Sequence, residues 1–560
     1  MADASFDVVF VGGGYGGLMC APYFAMNNMT VGVFEGRHEL GGGMSSDARP
    51  LPGFTGNPHA HGMINYLAPQ VQDFKLWEKG FDMIFPERFI DFVFPDETGM
   101  SVYTACDWDI KTGMPTFVPE RYERTLKALE TISKKDADTL AELYDKMDRY
   151  WMIPLMEYYF NPPVPFGAKD PIEELIENPA SGLDPRWQAM PIIEVFKELF
   201  ESPKFITTVF RPSQWLGNYP QDSLNIGCLA FLLTVVLGAD PLVHIRGGSH
   251  QIAHALQRVL HDCGGKTYAN CEVDNILVEN GKVKGIKLVN GTEIEARKAV
   301  VANIDPQQLI FRHLRDFPIS EVIKRKVKAI VSARSTLWWG NVCYHERPKY
   351  KVNIPGEPDF GNAVFVMMGD PDIDYIANEY QYQCQHIKPG HWPPKLYFWE
   401  NAPSLFDPNV APPGKHISLI EEYGPGSTHL SEREWNQVRR EAGPKIIEEW
   451  AKYAPNMALD SGNIIGIEID TPWDCSRRHL NYYDGSWAGG VGHQSHQWGR
   501  FRPIPELSQY QVPGIENLFL TGMSYHSGSG SLRGYGYNTY KKAAEKMGLR
   551  KFWEEAGRLY

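Results

Sequence analysis

The spacing of apolar residues changes twice within the first 35 positions of the chain. Residues 6–11, FDVVFV, form a short apolar run rich in β-branched side chains, which is typical of a buried parallel strand. Residues 17–28 instead repeat their apolar positions at helical spacing, and residues 30–35, TVGVFE, form a second strand-like run that ends in an acid. This order predicts a strand–helix–strand unit at the start of an α/β fold.

A second patterned region lies in the middle of the chain. Residues 245–263 predict a loop followed by an amphipathic helix. Residues 267–278 and 282–289 predict two strands joined by a hairpin turn at 279–281, Glu-Asn-Gly, and a further strand ends at 300–303. We therefore expect these segments to extend the sheet that the first unit begins.

The C-terminal region contains a further strand and helix, separated from the middle region by a long interval. Residues 516–520, ENLFL, predict a strand, which is followed by a glycine-rich loop and a helix over 535–548. Two insertions, 63–240 and 311–499, are rich in Trp, Tyr, Phe, Met and Pro. We predict an α/β fold with a Rossmann-like, discontinuous domain and an interleaved α+β substrate-binding domain. The first comprises 1–62, 241–310 and 500–560, and the second comprises 63–240 and 311–499.

Composition narrows the class of protein. The chain has 560 residues, which is too many for a single core, and its 43% hydrophobic and 22% charged content is that of a globular protein. The net charge is −13 and no basic block stands out, so we expect no nucleic-acid partner. Whether the protein forms a homo-oligomer stays open at this point.

Cysteines and apolar runs bear on the compartment. The eight cysteines are scattered without a C-x-x-C pair or metal-ligand spacing, which favours free thiols in a reducing compartment and no metal site. No signal peptide precedes the first strand, and no apolar run reaches the roughly 18 residues that a membrane span requires. We expect a cytoplasmic protein, with peripheral membrane contact left open.

The loop after the first strand carries the first chemical motif. It reads Gly12-x-Gly14-x-x-Gly17, and Glu35 ends the next strand 18 positions after Gly17. Such glycines permit a tight turn, a close approach to a diphosphate and close helix packing, while the acid binds a ribose. The alternative is a glycine-rich turn before an ordinary helix. The complete fingerprint favours a dinucleotide-binding site.

Two further glycine clusters indicate which dinucleotide binds. Gly41, Gly42 and Gly43 follow the acid closely and let the backbone run beside a cofactor. A second glycine-rich loop after residue 521 precedes a helix beginning near Gly534. The positive end of that helix would stabilise the anion formed when a flavin is reduced. We therefore predict FAD, although a flexible glycine loop is the alternative for the C-terminal segment.

Several segments together resemble a known family. These are FDVVFVGGGYGGL, FEGRHELGGG, LPGFTGNPHAHGM, HIRGGSHQIAHALQRVLHDCGGK and RPIPELSQYQVPGIENLFLTGMSYHSGSGSLRGYGYN. They resemble the phytoene desaturase and carotenoid oxidoreductase family, within the amine-oxidase-like flavoproteins. The resemblance covers both ends and the middle of the chain, but little of the two insertions. It implies a fold of the glutathione-reductase and amine-oxidase type.

The resemblance also implies the roles of individual residues. The first three glycines would hold the diphosphate, Glu35 the adenosine ribose, and the backbone of Val273 the adenine. The loop from Gly522 to Gly534 would contact the ribityl chain and the isoalloxazine ring. The predicted cofactor-binding residues are Gly12, Gly14, Gly17, Glu35, Gly36, Arg37, Gly42, Gly43, Met44, Val273, Gly522, Met523, Gly534 and Tyr535.

The chain departs from the family at three positions. Gly43 stands where many relatives carry an arginine, so a cation near the phosphates is either missing or supplied by Arg37 or Arg533. Ser527 follows His526 where many relatives have proline. No cysteine stands where some amine oxidases attach their flavin, so non-covalent FAD is expected.

Histidines are the candidates for acid–base chemistry, because their pKa lies near neutrality. Each has the alternative role of a hydrogen-bonded structural residue. Aromatic side chains, among them Tyr535 and Tyr537, are expected beside the flavin. The predicted catalytic residues are His59, His61, His493, His496, His526 and Tyr525.

The most apolar stretch of the chain is 224–238, LNIGCLAFLLTVVLG. A buried helix is its simplest interpretation, and the alternatives are a tunnel wall or a contact with a membrane surface. An apolar channel would suit an apolar substrate.

Four functions follow from these features. The first is an FAD-dependent desaturase or dehydrogenase acting on a hydrophobic, unsaturated, isoprenoid- or terpenoid-like molecule by hydride transfer. Because no second nicotinamide fingerprint is present, oxygen or a quinone is expected to reoxidise the flavin. The alternatives are a redox-neutral isomerase, hydratase or saturase, an amine oxidase, and a non-catalytic flavin-binding subunit.

Overall fold

The computed structural model describes residues 2–213, 219–223, 226–236, 238, 241–333, 336–352, 354, 357–487, 489, 499–528 and 534–560. His493, His496 and Arg533 lie outside these ranges. In chain order the strands are β1 (Ala4–Val11), β2 (Val31–Phe34), β3 (Asp47–Ala48), β4 (Thr55–Gly56), β5 (Met83–Ile84), β6 (Arg88–Val93), β7 (Gly99–Tyr103), β8 (Cys106–Asp109), β9 (Met114–Phe117), β10 (His244–Ile245), β11 (Lys266–Tyr268), β12 (Val273–Glu279), β13 (Lys282–Leu288), β14 (Glu293–Ala302), β15 (Leu337–Tyr344), β16 (Phe365–Met368), β17 (Trp399–Asn401), β18 (His416–Tyr423), β19 (Ile464–Asp470) and β20 (Leu518–Leu520).

The helices differ widely in length. Within the described ranges, the α-helices of eight or more residues are Tyr15–Ala25, Pro119–Glu130, Lys134–Lys146, Met152–Tyr159, Ile192–Leu199, Pro203–Ser213, Ile226–Val236, His250–Asp262, Glu321–Lys328, Glu432–Tyr453 and Tyr535–Met547. None of the described helices is long and apolar enough to cross a membrane.

The first sheet has a parallel core. Its order is β11-β2-β1-β14-β13-β12, and β20 also pairs with β14. Strands β11, β2, β1, β14 and β20 run parallel, whereas β12, β13 and β14 form an antiparallel meander. The ten-residue β14 takes part in both arrangements, because its first three residues pair with the antiparallel β13 and its last three pair with the parallel β20. The predicted Rossmann-like α/β fold is confirmed.

The structure tests two details of the sequence prediction, the hairpin turn at 279–281 and the strand over 267–278. The hairpin turn is confirmed, because Asn280 and Gly281 both have positive φ values, 50° and 71°, as such turns require. The single strand over 267–278 is wrong. Asn270 has φ 55°, and the chain leaves β11 at one edge of the sheet to begin β12 at the other.

The second sheet is formed by the two insertions. Its order is β19-β15-β18-β17-β16-β6-β7, and its neighbours are antiparallel except for the pair β16 and β6. Every strand of the first sheet comes from 1–62, 241–310 or 500–560, and every strand of the second from the insertions. The boundaries between the two domains stay a prediction.

The most apolar segment forms the helix Ile226–Val236. Its side chains Ile226, Leu229 and Leu233 are buried, as the simplest interpretation predicted. Val235, on the same helix, reaches the wall of the cavity described next. The segment is therefore both a buried helix and part of a cavity wall.

Candidate functional site

A cavity of about 450 Å³ connects the two sheets. At one end it is lined by Gly12, Gly14 and Glu35, which lie at the carboxyl ends of β1 and β2. At the other end it is lined by Trp339 and Phe365, which lie on strands of the second sheet. The glycine fingerprint and the aromatic insertions thus share one space.

The glycine loop folds as the motif predicts. Gly12 has φ +87°, and a Cβ at this position would lie 2.9 Å from the backbone oxygen of Asn303. A Cβ at Gly17 would lie 2.7 Å from the oxygen of Gly12. Larger residues are therefore excluded at both positions, by conformation at the first and by close packing at the second.

The helix that follows the loop has an open N-terminus. Tyr15–Ala25 begins after Gly14 without a side-chain cap and without an acidic residue in its first turn. Tyr15 and Gly16, the first two helical residues, line the cavity. Buried helix N–H groups without a cap, together with the positive end of the helix dipole, suit an anion such as a diphosphate.

The Glu35 carboxylate is held in place by the backbone. One oxygen accepts a hydrogen bond from the N–H of Gly13 at 2.8 Å, and the other accepts one from the N–H of Arg37 at 2.9 Å. Carboxylate oxygens have further lone pairs, so the group retains the capacity to accept ribose hydroxyls from the cavity side. Gly36 and Val273 line the cavity beside it, as expected for an adenosine site.

The missing arginine at Gly43 has a steric explanation. A Cβ at Gly43 would overlap the hydroxyl of Tyr482, whose side chain is buried there. Arg37, one of the two predicted substitutes, lines the cavity, as do Arg477 and Arg478. The residues present therefore fit a dinucleotide diphosphate. The positive charge near the phosphates comes from Arg37, Arg477 and Arg478, and not from the position that is an arginine in many relatives.

The remaining predicted cofactor residues divide into two groups. Some face the cavity, and the others pack behind its wall. Those in the lining are Gly42, Met523 and Tyr535, and those outside it are Gly17, Met44, Gly522 and Gly534. Gly534 precedes the helix Tyr535–Met547, and the first residue of that helix lines the cavity.

The end of the cavity at the second sheet forms an apolar chamber. Its walls include Leu242, Leu337, Trp339 and Phe365. The ring of His61 lies between the two aromatic residues, with centroid distances of 5.9 Å to Trp339 and 5.7 Å to Phe365. Most of the polar residues in the cavity lining are at the other end, beside the glycine loop, and not in this chamber.

A buried carboxyl group faces His61 in this chamber. The Nδ1 atom of His61 lies 3.0 Å from Oε1 of Glu421 and 3.0 Å from the carbonyl oxygen of His59. Burial lowers the pKa of His61 to about 3 and raises the pKa of Glu421 well above its usual range. The chamber therefore favours the uncharged forms of both groups.

His59 lies farther toward the phosphate loop. Its ring packs edge-on against Trp339 and Tyr482, and its Nε2 lies 3.5 Å from the guanidinium of Arg478. Burial lowers its pKa well below the usual value, and the nearby His479 ring and Arg478 guanidinium lower it further. His59 is thus an uncharged part of the cavity wall.

His493 and His496 are outside the described ranges, and the two remaining predicted catalytic residues, His526 and Tyr525, lie outside the lining. His526 accepts a hydrogen bond from the N–H of Gly499 and bonds the carbonyl of Tyr158, both at 2.7 Å. Because both ring nitrogens are occupied, this geometry favours a structural role. The hydroxyl of Tyr525 donates to the carbonyl of Ile304, and Tyr537 also stays outside the lining.

Sequence reasoning missed most polar residues of the lining, among them Asn303 and Glu421. Asn303 directly follows β14, and its side chain packs against Gly14 and Gly522. Glu421 sits within the strand sequence LIEEY, where two acids next to apolar residues were the available signal. Both belong to the cavity that joins the sheets.

Similar proteins support the same architecture. Residues 11–78 match the family model of the NAD(P)-binding Rossmann-like domain. A limonene dehydrogenase subunit of Castellaniella defragrans is 24% identical, with 98% of this chain and 96% of that protein covered. A neurosporene-forming phytoene desaturase of Cereibacter sphaeroides is 26% identical over 55% of each chain.

Solved structures extend the likeness to the whole chain. A putrescine oxidase, solved with putrescine bound, superimposes with a TM-score of 0.59 at 12% identity and covers 98% of this chain and 99% of its own. At this identity the likeness concerns the fold alone. The likeness of fold spans nearly the whole chain, including the two insertions.

Proposed function

We propose that this chain, a phytoene desaturase-like member of the amine-oxidase-like flavoproteins, is an FAD-dependent dehydrogenase of a hydrophobic, unsaturated, terpenoid-like molecule. The observation that carries the proposal is the single cavity that runs from the glycine loop to the apolar chamber. A cofactor bound at the loop and a substrate bound in the chamber would meet within it. Such a meeting is what an oxidoreductase of this kind requires.

FAD is the dinucleotide that this cavity suits. The open helix N-terminus after Gly14 would hold the diphosphate, Glu35 the ribose, and Val273 the adenine. Tyr535, at the start of the C-terminal helix, would lie toward the ring system. When bound, FAD would accept a hydride from a substrate C–H bond. The residues named here orient the two partners and keep water away.

The chamber favours a compact apolar substrate. Leu242, Leu337, Trp339 and Phe365 are buried and offer mainly carbon surface. Such walls hold a hydrocarbon by excluding water, and each buried methylene group contributes roughly 0.8 kcal/mol. The relative named as a limonene dehydrogenase subunit covers nearly the whole chain, which supports a terpenoid of that size over an extended carotenoid.

Oxygen or a quinone is proposed as the electron acceptor. The described residues provide one glycine fingerprint of the dinucleotide type, at the loop already assigned to FAD. A nicotinamide cofactor would need a second such site. A carrier protein is a further acceptor to include in experiments, since the matched limonene dehydrogenase relative is named as one subunit.

Anaerobic reduction of the flavin tests the proposal. Purified protein loaded with FAD should lose its visible flavin bands on addition of limonene or an oxygenated terpenoid, and oxygen should restore them. Product formed without any electron acceptor would instead indicate an isomerase, hydratase or saturase. Release of hydrogen peroxide and ammonia from an amine would indicate an amine oxidase.

A fourth outcome would indicate that another protein carries out the reaction. If no terpenoid bleaches the flavin, and turnover appears only beside another protein, the chain is a flavin-binding subunit. The same spectra measured with and without a cell extract of the source organism separate this outcome from the others.

A further inference from the structure

His61 and Glu421 stand apart from the other polar groups of the cavity. They lie in the chamber formed by the second sheet, whereas Glu35 and Arg37 lie beside the glycine loop. Nothing in the proposed binding of FAD uses them. Two titratable side chains in an otherwise apolar chamber therefore need a separate explanation.

The second sheet places the carboxyl group. Glu421 on β18 is directly opposite Trp339 on β15 and Trp399 on β17. Only 2% of its side chain is exposed. Because side chains alternate along a strand, Glu422 faces the other side of the sheet. Glu421 is thus held by two indole rings and directed at His61.

Neighbouring buried carboxylates show what a structural role looks like. Glu422 accepts hydrogen bonds from the backbone of Tyr397 at 2.9 Å and of Tyr423 at 2.7 Å. Glu400 accepts hydrogen bonds from the hydroxyls of Tyr350 and Ser418. Both groups are satisfied by fixed donors, as buried carboxylates usually are.

Glu421 has fewer fixed donors, because the side chain of Trp399 supplies one hydrogen bond and its Oε1 atom is left over. Among the described residues, no well-aligned donor reaches its Oε1 atom, whose close contact is His61 Nδ1 at 3.0 Å. The hydrogen on Nδ1 points instead toward the carbonyl of His59. The other ring nitrogen, Nε2, has no hydrogen bond from the described residues. A proton can therefore pass between Nδ1 of His61 and Oε1 of Glu421, while Nε2 of His61 can exchange a proton with a substrate.

Resting on the proposed function, we propose that His61 and Glu421 form a proton-transfer pair that removes the proton a substrate loses on dehydrogenation. His61 is the catalytic base that contacts the substrate. Glu421 acts through His61 and takes up the proton that leaves Nδ1.

One substrate C–H bond breaks heterolytically, its proton forms a bond to Nε2 of His61, and the Nδ1 proton passes to the carboxylate of Glu421. With FAD bound, the released electron pair would form the new double bond, and the flavin would accept the hydride from the adjacent carbon. At pH values above the raised pKa of Glu421, the chamber holds a carboxylate before the step and a neutral acid and a neutral imidazole after it. Burial favours that result.

Few other charged groups face this pair. His244 lies near His61 and influences its pKa, and Tyr423 is coupled to Glu421. Trp339 and Trp399, the cross-strand neighbours, do not titrate. The acid limb of the rate profile should therefore follow the protonation of Glu421, whose pKa burial raises.

Rates of flavin bleaching by limonene test the functional part. In FAD-loaded protein without oxygen, Glu421→Gln should slow bleaching by about 10²–10⁴-fold at unchanged FAD content. Glu421→Asp should restore part of the rate. Glu422→Gln is the matched control, because it removes an equally buried carboxyl group from the same strand outside the cavity. It should keep the wild-type rate per bound flavin.

Infrared spectra test the pair without turnover. As the pH falls, Glu421 should give a carboxylic acid band that is absent in Glu421→Gln and displaced in His61→Phe. Absence of this band, or a wild-type bleaching rate in Glu421→Gln, would overturn the proposal. Failure of wild type to bleach would refute the dehydrogenase function instead, while the infrared result would still decide whether the two residues share a proton.

Discussion

Gly43 shows at the scale of a single residue how neighbouring positions compensate for each other. The sequence predicted a missing cation at this position, but not what fills the space. The structure places the Tyr482 hydroxyl where a Cβ would lie, and it places arginines from other segments in the cavity wall. A departure from a family pattern can thus be noticed in the sequence, whereas its compensation depends on contacts between distant segments.

A substitution at Gly43 should therefore disturb the protein through Tyr482. We expect Gly43→Ala to lower stability by about 1–3 kcal/mol, because the added methyl group overpacks a buried site. Thermal unfolding of the apoprotein and titration with FAD measure the loss of stability and of cofactor affinity.

The double variant Gly43→Ala/Tyr482→Phe is the control for that expectation. Without the hydroxyl, the nearest ring carbon would lie 3.1 Å from the new Cβ, a tight but tolerable contact. Recovery of most of the stability is expected. A double variant as unstable as Gly43→Ala would show that Tyr482 is not the obstacle.

At the scale of secondary-structure elements, the spacing of apolar residues predicted most strands of the first sheet. The predicted strand over 6–11 corresponds to Ala4–Val11, and the predicted helix over 535–548 corresponds to Tyr535–Met547. The break at Asn270 was missed, because apolar content alone does not reveal that one run serves two edges of a sheet. The strand order of the second sheet could not be predicted, because its strand pairs join residues that are far apart in the chain.

The C-terminal helix Tyr535–Met547 contains an unusual lysine. Lys541 is buried, donates hydrogen bonds to Phe160 and Asn161, and lies over the rings of Tyr537 and Trp553. Burial lowers its pKa to about 7. The helix therefore carries a group that loses its proton near neutrality in the folded protein.

Stability should consequently depend on pH through this helix. Above pH 7 the unfolded chain, with a lysine pKa of about 10.4, binds more protons than the folded chain, so the free energy of unfolding should rise from about pH 7 to about pH 10. Lys541→Met should flatten this rise and unfold less readily at neutral pH. Urea denaturation at several pH values measures both effects, and an unchanged slope in the variant would contradict them.

At the scale of the whole molecule, the function depends on how two separately encoded parts meet. The glycine loop and its partners were predicted from local motifs in the first 45 residues and after residue 516. The chamber was not, because Trp339, Phe365 and Glu421 come from three strands whose order no local pattern specifies. Among the candidate histidines, the structure brings His59 and His61 to the cavity and places His526 outside its lining.

The central claim is that the cavity starting at the glycine loop binds FAD without a covalent link. The most direct measurement is the amount of flavin released when purified protein is denatured, compared between wild type and Gly14→Val. A side chain at Gly14 would meet Asn303 at 2.8 Å and occupy the approach to the helix N-terminus. We expect one FAD per wild-type chain and almost none in the variant. A colourless wild type that gains no absorbance with added FAD, or a variant with full flavin content, would contradict the claim.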